Sequence, residues 1–123
     1  MRYPPDPRLA ALPERLGTVE EVVVLSSSKG GVGKTLISVA TALLLARRGL
    51  RPGLLDMDVT NPTAHMVLGV DPAAVRPEEE RGLVPPEASG VRFMSPVFFT
   101  GGRPAPLRGE SVSSAIREIL AIT

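Results

Sequence analysis

Residues 25–36 read "LSSSKGGVGKTL", a serine- and glycine-rich stretch that holds both lysines of the chain. It approaches the pattern G-x-x-x-x-G-K-S/T but places Ser28 in the first glycine slot and Lys29 directly after it. What flanks it supplies the context. Glu21–Ser26, "EVVVLS", is a continuous β-branched apolar run, the pattern of a strand covered on both faces. Residues 34–48, "KTLISVATALLLARR", carry Leu36, Val39, Ala40, Leu43, Leu44 and Ala46 on one broad helical face. Arg47 and Arg48 complement the helix dipole in the last turn, and Gly49 is a natural stop. "RPGLLDMD", residues 51–58, then reads as a second buried strand ending in carboxylates. Strand, glycine loop, helix and strand make a βαβ unit, for which parallel pairing and a right-handed crossover are expected.

The loop has the chemistry of a phosphate cradle. A triphosphate is a crowded polyanion, and backbone N–H groups surround it only where side chains do not intrude. Gly30, Gly31 and Gly33 give that access and tolerate positive φ. The helix beginning at Lys34 offers unsatisfied N–H groups and a favourable dipole to an anion. Lys34 is expected to reach the β- and γ-phosphates, and the Thr35 hydroxyl to bind Mg²⁺. The basic residues sharpen this. Of fourteen Lys and Arg, only Lys29 and Lys34 are lysine, and both lie in this loop. A compact ammonium fits among phosphate oxygens where a planar guanidinium is too bulky.

"KGGVGKT", residues 29–35, resembles the deviant phosphate loop of the MinD, ParA and Mrp ATPases. The resemblance implies an α/β fold, a Rossmann-like three-layer P-loop NTPase with a parallel sheet. It implies ATP and Mg²⁺ as cofactors, held by Lys29, Gly30, Gly31, Val32, Gly33, Lys34, Thr35 and Leu36. It also implies an ATP-sandwich homodimer in which Lys29 crosses to the partner's phosphate. Leu36 departs from the family, which usually has a hydroxyl residue there to help hold the α-phosphate.

Asp56 and Asp58 close the second strand, and strict alternation would put them on the same side, with Met57 opposite. In open α/β sheets the carboxyl ends of strands face the ligand crevice. The resemblance assigns Asp58 to the first switch, orienting the attacking water and supporting the magnesium shell, so that Lys29, Lys34 and Asp58 are the catalytic candidates. It gives Asp56 a more distant place near Mg²⁺, which makes Thr35, Asp56 and Asp58 the candidate metal residues.

"DMDVTNPTAHMVLGVD", residues 56–71, is similar to the Mrp/ApbC pattern at Pro62, Leu68 and Gly69, and "PLRGESVSSAIREIL", residues 106–120, matches it at Arg108 and Gly109. That branch resembles iron–sulfur cluster carriers and assembly scaffolds, and implies iron–sulfur client proteins as partners. The branch holds its cluster on a C-P-x-C pair, whereas this sequence has no cysteine. A cluster is therefore carried only through residues outside this chain. An Asp-x-Pro-Pro-Gly second switch is also missing. Residues 1–18 read as a lead-in, and 19–123 as the N-terminal part of a longer P-loop NTPase domain, an incomplete sheet. Two alternatives stand beside this reading: a MinD- or ParA-like positioning or partition ATPase, and a nucleotide-binding module without turnover.

Elsewhere, residues 62–69 suggest a short helix with Pro62 in its first turn and Gly69 at its end. Residues 70–89 suggest a loop, with a solvated "EEE" at 78–80. Residues 90–95 suggest a third strand that "PVFFT" continues past a bend, and Glu110–Ile122 a last helix. Lone His65 reads as structural or surface, and Phe93, Phe98 and Phe99 as core or interface. A net charge of +1 and the lack of a basic stripe argue against nucleic acid. No apolar run approaches the ~18 residues that span a bilayer. The final helix carries one arginine against two glutamates, which argues against a membrane-binding form. "MRYPPDPR" lacks a signal peptide's apolar stretch, so a cytoplasmic location is the expectation.

Overall fold

The computed structural model describes residues 6–10, 12–27, 33–58, 61–80, 82–100, Arg117 and Ile119. Two short helices open the chain, α1 (Pro7–Ala10) and α2 (Leu12–Leu16). The long helix α3 (Lys34–Arg47) follows and ends with Gly49 at φ 82°, as the sequence predicts. Next come β1 (Gly53–Leu55) and α4 (Ala64–Leu68). The expected loop over 70–89 instead contains β2 (Glu78–Glu79), β3 (Leu83–Val84) and β4 (Glu87–Ala88). β5 (Val91–Met94) and α5 (Val97–Thr100) complete the continuous part.

The main sheet has the order β1-β5-β4. β1 runs parallel to β5, with Leu54 opposite Phe93, and β4 runs antiparallel to β5. Ser89 and Gly90 turn the β4–β5 hairpin with φ of 52° and 80°, the positive values that a two-residue hairpin turn favours. β2 and β3 form a separate antiparallel pair. Glu78, Glu79 and Glu80 are all exposed, as a solvated run should be.

The core sits between α3, α4 and β5. Val39, Ala64, Leu68, Val70 and Phe93 form one buried cluster, with Leu43, Leu54, Ala88 and Phe98 packed against it. Phe93 and Phe98 meet edge to face, their centroids 5.8 Å apart, a favoured aromatic geometry. Phe99 stays exposed.

Several expectations are corrected. The segment 21–27 forms no strand, and Val23 and Val24 are each 72% exposed. A strand needs lateral partners for its N–H and C=O groups, and no ladder among the described strands includes this segment. The parallel partner of β1 is therefore β5 and not residues 21–26. "PVFFT" does not extend β5: after Pro96 its residues form the helix α5. The Ser95 hydroxyl accepts the Val97 N–H at 3.2 Å, and the Phe99 N–H bonds the Pro96 carbonyl at 2.9 Å, which turns the chain out of the sheet. On α3, Leu36, Ala40 and Leu44 face solvent while Ala42 is buried. Pro62 lies before the N-cap Thr63 and outside the helical turn of α4. The expected last helix lies outside the described residues, apart from helical Arg117 and Ile119. Ile119 is buried, and Arg117 lies 3.6 Å from Asp6.

Candidate functional site

α3 enters β1 through residues 48–52 and packs on β1, β5 and α4. That short return reverses the chain, so the start of α3 and the end of β1 lie at the same end of the molecule. Val39, in the second turn of α3, shares the core cluster with Ala64 of α4, which follows β1. This end collects the described site residues.

Gly33 is the N-cap of α3, with φ 82° and ψ 13°. A left-handed residue immediately before a helix suits glycine, because a Cβ there crowds the following carbonyl. The Gly33 carbonyl accepts the Ile37 N–H at 2.9 Å, closing the first helical turn. Among the described residues no side chain caps this helix start, and no acidic residue occupies its first turn. The first N–H groups of a helix have no intrahelical partner. α3 thus presents its positive end without a carboxylate of its own to satisfy it. Lys34 is exposed beside it, Thr35 is half-buried and Leu36 is exposed. Lys29, Gly30, Gly31 and Val32 lie outside the described residues.

The start of α4 is arranged in the opposite way. Thr63 occupies the N-cap position but makes no side-chain capping bond. Asp56 takes that role from eight residues upstream, its Oδ2 accepting the Ala64 N–H at 3.1 Å. Its Oδ1 accepts the Asp58 N–H at 3.0 Å. Asp58 in turn accepts the Asn61 N–H through Oδ1 at 3.1 Å. Both aspartates lie just beyond β1, so strand alternation does not set their directions. The local turn does so instead, with half-buried Asp56 and exposed Asp58 joined by a hydrogen bond. The last tie to the sheet is the Asp56 N–H, which donates to the Met94 carbonyl at 3.0 Å.

Sequence reasoning identified the aspartates but missed the backbone groups of Asn61, Ala64 and Met94 that fix them. No local signal announces a cap eight residues away. Threonine before the helix points to Thr63 instead. His65 is half-buried in α4, and its Nδ1 has no hydrogen-bond partner among the described residues.

The side-chain donors at this end are the Thr35 hydroxyl and two carboxylates. Such hard oxygen donors fit Mg²⁺, which takes one or two protein oxygens and completes its shell with phosphate and water. Among the described residues no group of three or more His, Cys, Asp or Glu could hold a metal ion. An ion here would need phosphate and water to fill its shell.

Comparison with known proteins fits this architecture. A family model described as ParA, NUBPL iron-transfer P-loop NTPase, matches residues 18–123. The iron-sulfur cluster carrier protein of Deinococcus radiodurans is 43% identical over 112 residues, covering 90% of this chain and 32% of the relative. That of Pseudomonas fragi is 38% identical, covering 88% and 38%. A chloroplastic Fe-S cluster assembly factor of Oryza sativa is 39% identical, covering 91% and 21%. The chain therefore spans well under half the length of these relatives. Helices packed on a mixed sheet, an uncapped helix start behind a glycine loop and a match over residues 18–123 agree, and the chain belongs to the NUBPL iron-transfer P-loop NTPase family.

Proposed function

We propose that this chain is the phosphate-binding portion of an ATPase that serves iron–sulfur protein maturation. The observation that carries the reading is the pair of helix starts. α4 is satisfied by Asp56, whereas among the described residues α3 is left uncapped behind left-handed Gly33, with Lys34 beside it. An open positive helix end next to an ammonium is chemistry for phosphate.

In this reading the residues have distinct tasks. The loop 29–33 surrounds the polyphosphate with backbone N–H groups. Lys34 neutralises the β- and γ-phosphates of the nucleotide bound in its own chain, and Lys29 reaches the phosphate of a second copy in a homodimer. Leu36 borders the α-phosphate without a hydroxyl to offer it, which weakens the grip there. The Thr35 hydroxyl and Asp58 hold Mg²⁺, which would polarise the γ-phosphate when bound, with Asp56 behind them. Asp58 also orients the attacking water. Slow hydrolysis suits a carrier whose two nucleotide states differ in their grip on a client.

The curated relatives are named for carrying or assembling iron–sulfur clusters, which supports a client protein of that class. With no cysteine, this chain supplies no thiolate to a cluster, and the cluster ligands come from elsewhere. Among the described residues no helix is long and apolar enough to cross a membrane. A cytoplasmic setting is part of the proposal.

Calorimetric titration with Mg-ATP and a phosphate-release assay test the reading. The wild-type chain should bind the nucleotide and turn it over slowly. Lys34→Ala should weaken binding by about a hundredfold, the scale of losing a charged contact in a desolvated site. Equal affinity in the variant would refute the phosphate role of Lys34. Binding without turnover would make the chain a nucleotide-responsive module. Lys29→Ala should retain much of the binding but lose ATP-dependent dimerisation in sedimentation analysis; an unchanged dimer would exclude the contact across the interface.

A further inference from the structure

Three hydrogen bonds meet at Asp56, where β1 gives way to the loop bearing Asp58. Its N–H is held by Met94 of β5, its Oδ1 by the Asp58 N–H and its Oδ2 by the Ala64 N–H. The two carboxylate bonds point to different parts of the chain. One reaches two residues along, into the loop. The other reaches eight residues along, to the first residue of α4.

α4 is a fixed object. Ala64 and Leu68 belong to the same buried cluster as Val39 of α3 and Phe93 of β5. Asp58 is exposed and lies in a segment without regular structure. Anything that ties the Asp58 backbone to Ala64 ties it to the core.

We propose that Asp56 is a positioning residue, one carboxylate that clamps the Asp58 backbone to the start of α4 so that the end of β1, the Asp58 turn and α4 keep a single geometry. This rests on the role given to Asp58 above, and it assigns Asp56 a task other than coordination. The donor inventory makes the clamp specific. A carboxylate can accept with both oxygens at once, whereas an amide has one acceptor oxygen and a donor nitrogen. Asparagine at this position can therefore keep one of the two bonds and must release the other. Alanine releases both.

Amide hydrogen exchange followed by NMR on the full 123-residue chain reads the clamp directly. In Asp56→Ala, exchange at Asp58 and Ala64 should quicken about tenfold, the scale of losing one hydrogen bond to a charged group. The amides in the middle of α3 should keep their wild-type protection. Asp56→Asn should quicken exchange at only one of the two positions, and it serves if the alanine variant fails to fold. Unchanged exchange at both positions would overturn the clamp.

Mg-ATP turnover supplies the second readout. Loss of positioning should lower kcat about tenfold, while the KM for ATP and the half-saturating Mg²⁺ concentration stay within about twofold. The asparagine variant should recover part of the rate. A half-saturating Mg²⁺ concentration raised tenfold in both variants would instead make Asp56 a metal-holding residue. A wild-type chain inert toward ATP would count against the proposed ATPase alone, because the exchange measurement still decides whether Asp56 holds Asp58 to α4.

Discussion

Among the described residues, Gly33 has open space around it: a Cβ built there meets no described atom within 4 Å. The demand for glycine is thus one of backbone conformation, set by φ 82°, and not of crowding. Gly33→Ala should destabilise the fold by about 1–2 kcal/mol, readable by urea denaturation, and should weaken Mg-ATP binding as the loop leaves its left-handed turn. Gly33 and Lys34 were legible because the phosphate-loop pattern is local: spacing alone names the residues. The bonds of Asp56 were not legible, because a carboxylate's partners depend on where the chain returns eight residues later.

At the scale of elements, the limits of α3 could be read from Lys34 and Gly49, but its buried face could not. "LISVATALLLA" is apolar nearly all round, so a period of 3.6 selects no single stripe. Contact with α4 and β5 makes the choice, burying Val39 and Ala42 and leaving Leu36 61% exposed. Val39→Ala should cost about 2 kcal/mol through lost burial and the cavity left behind. Leu36→Ala should stay within about 0.5 kcal/mol, as exposed positions do. Denaturant midpoints of the two variants measured side by side check the contrast. "VFFT" misled for a related reason. Its β-branched and aromatic residues favour a strand, but the bonds at Ser95 and Pro96 start a helical turn at once. β5 was legible because alternation and a buried centre coincide at Val91 and Phe93.

Across the whole molecule, the α/β class was legible while the pairing was not. Parallel pairing was expected between residues 21–26 and β1, and it occurs between β1 and β5. The mistake came from treating an apolar run as a sufficient condition for a strand, when ladder partners are equally necessary. Val22–Leu25 therefore remains as four consecutive large, uncharged apolar residues exposed to water, on a backbone that joins no sheet ladder among the described residues. Such a segment has the composition of an aggregation nucleus, high in β-propensity and free of proline. Light scattering should show the chain forming particles on mild warming before its helices melt. Val23→Lys, a gatekeeper charge on a residue that is 72% exposed, should delay this onset without lowering the urea midpoint. The same four residues bear on handling the protein: a charge placed among them should raise its solubility without touching the core.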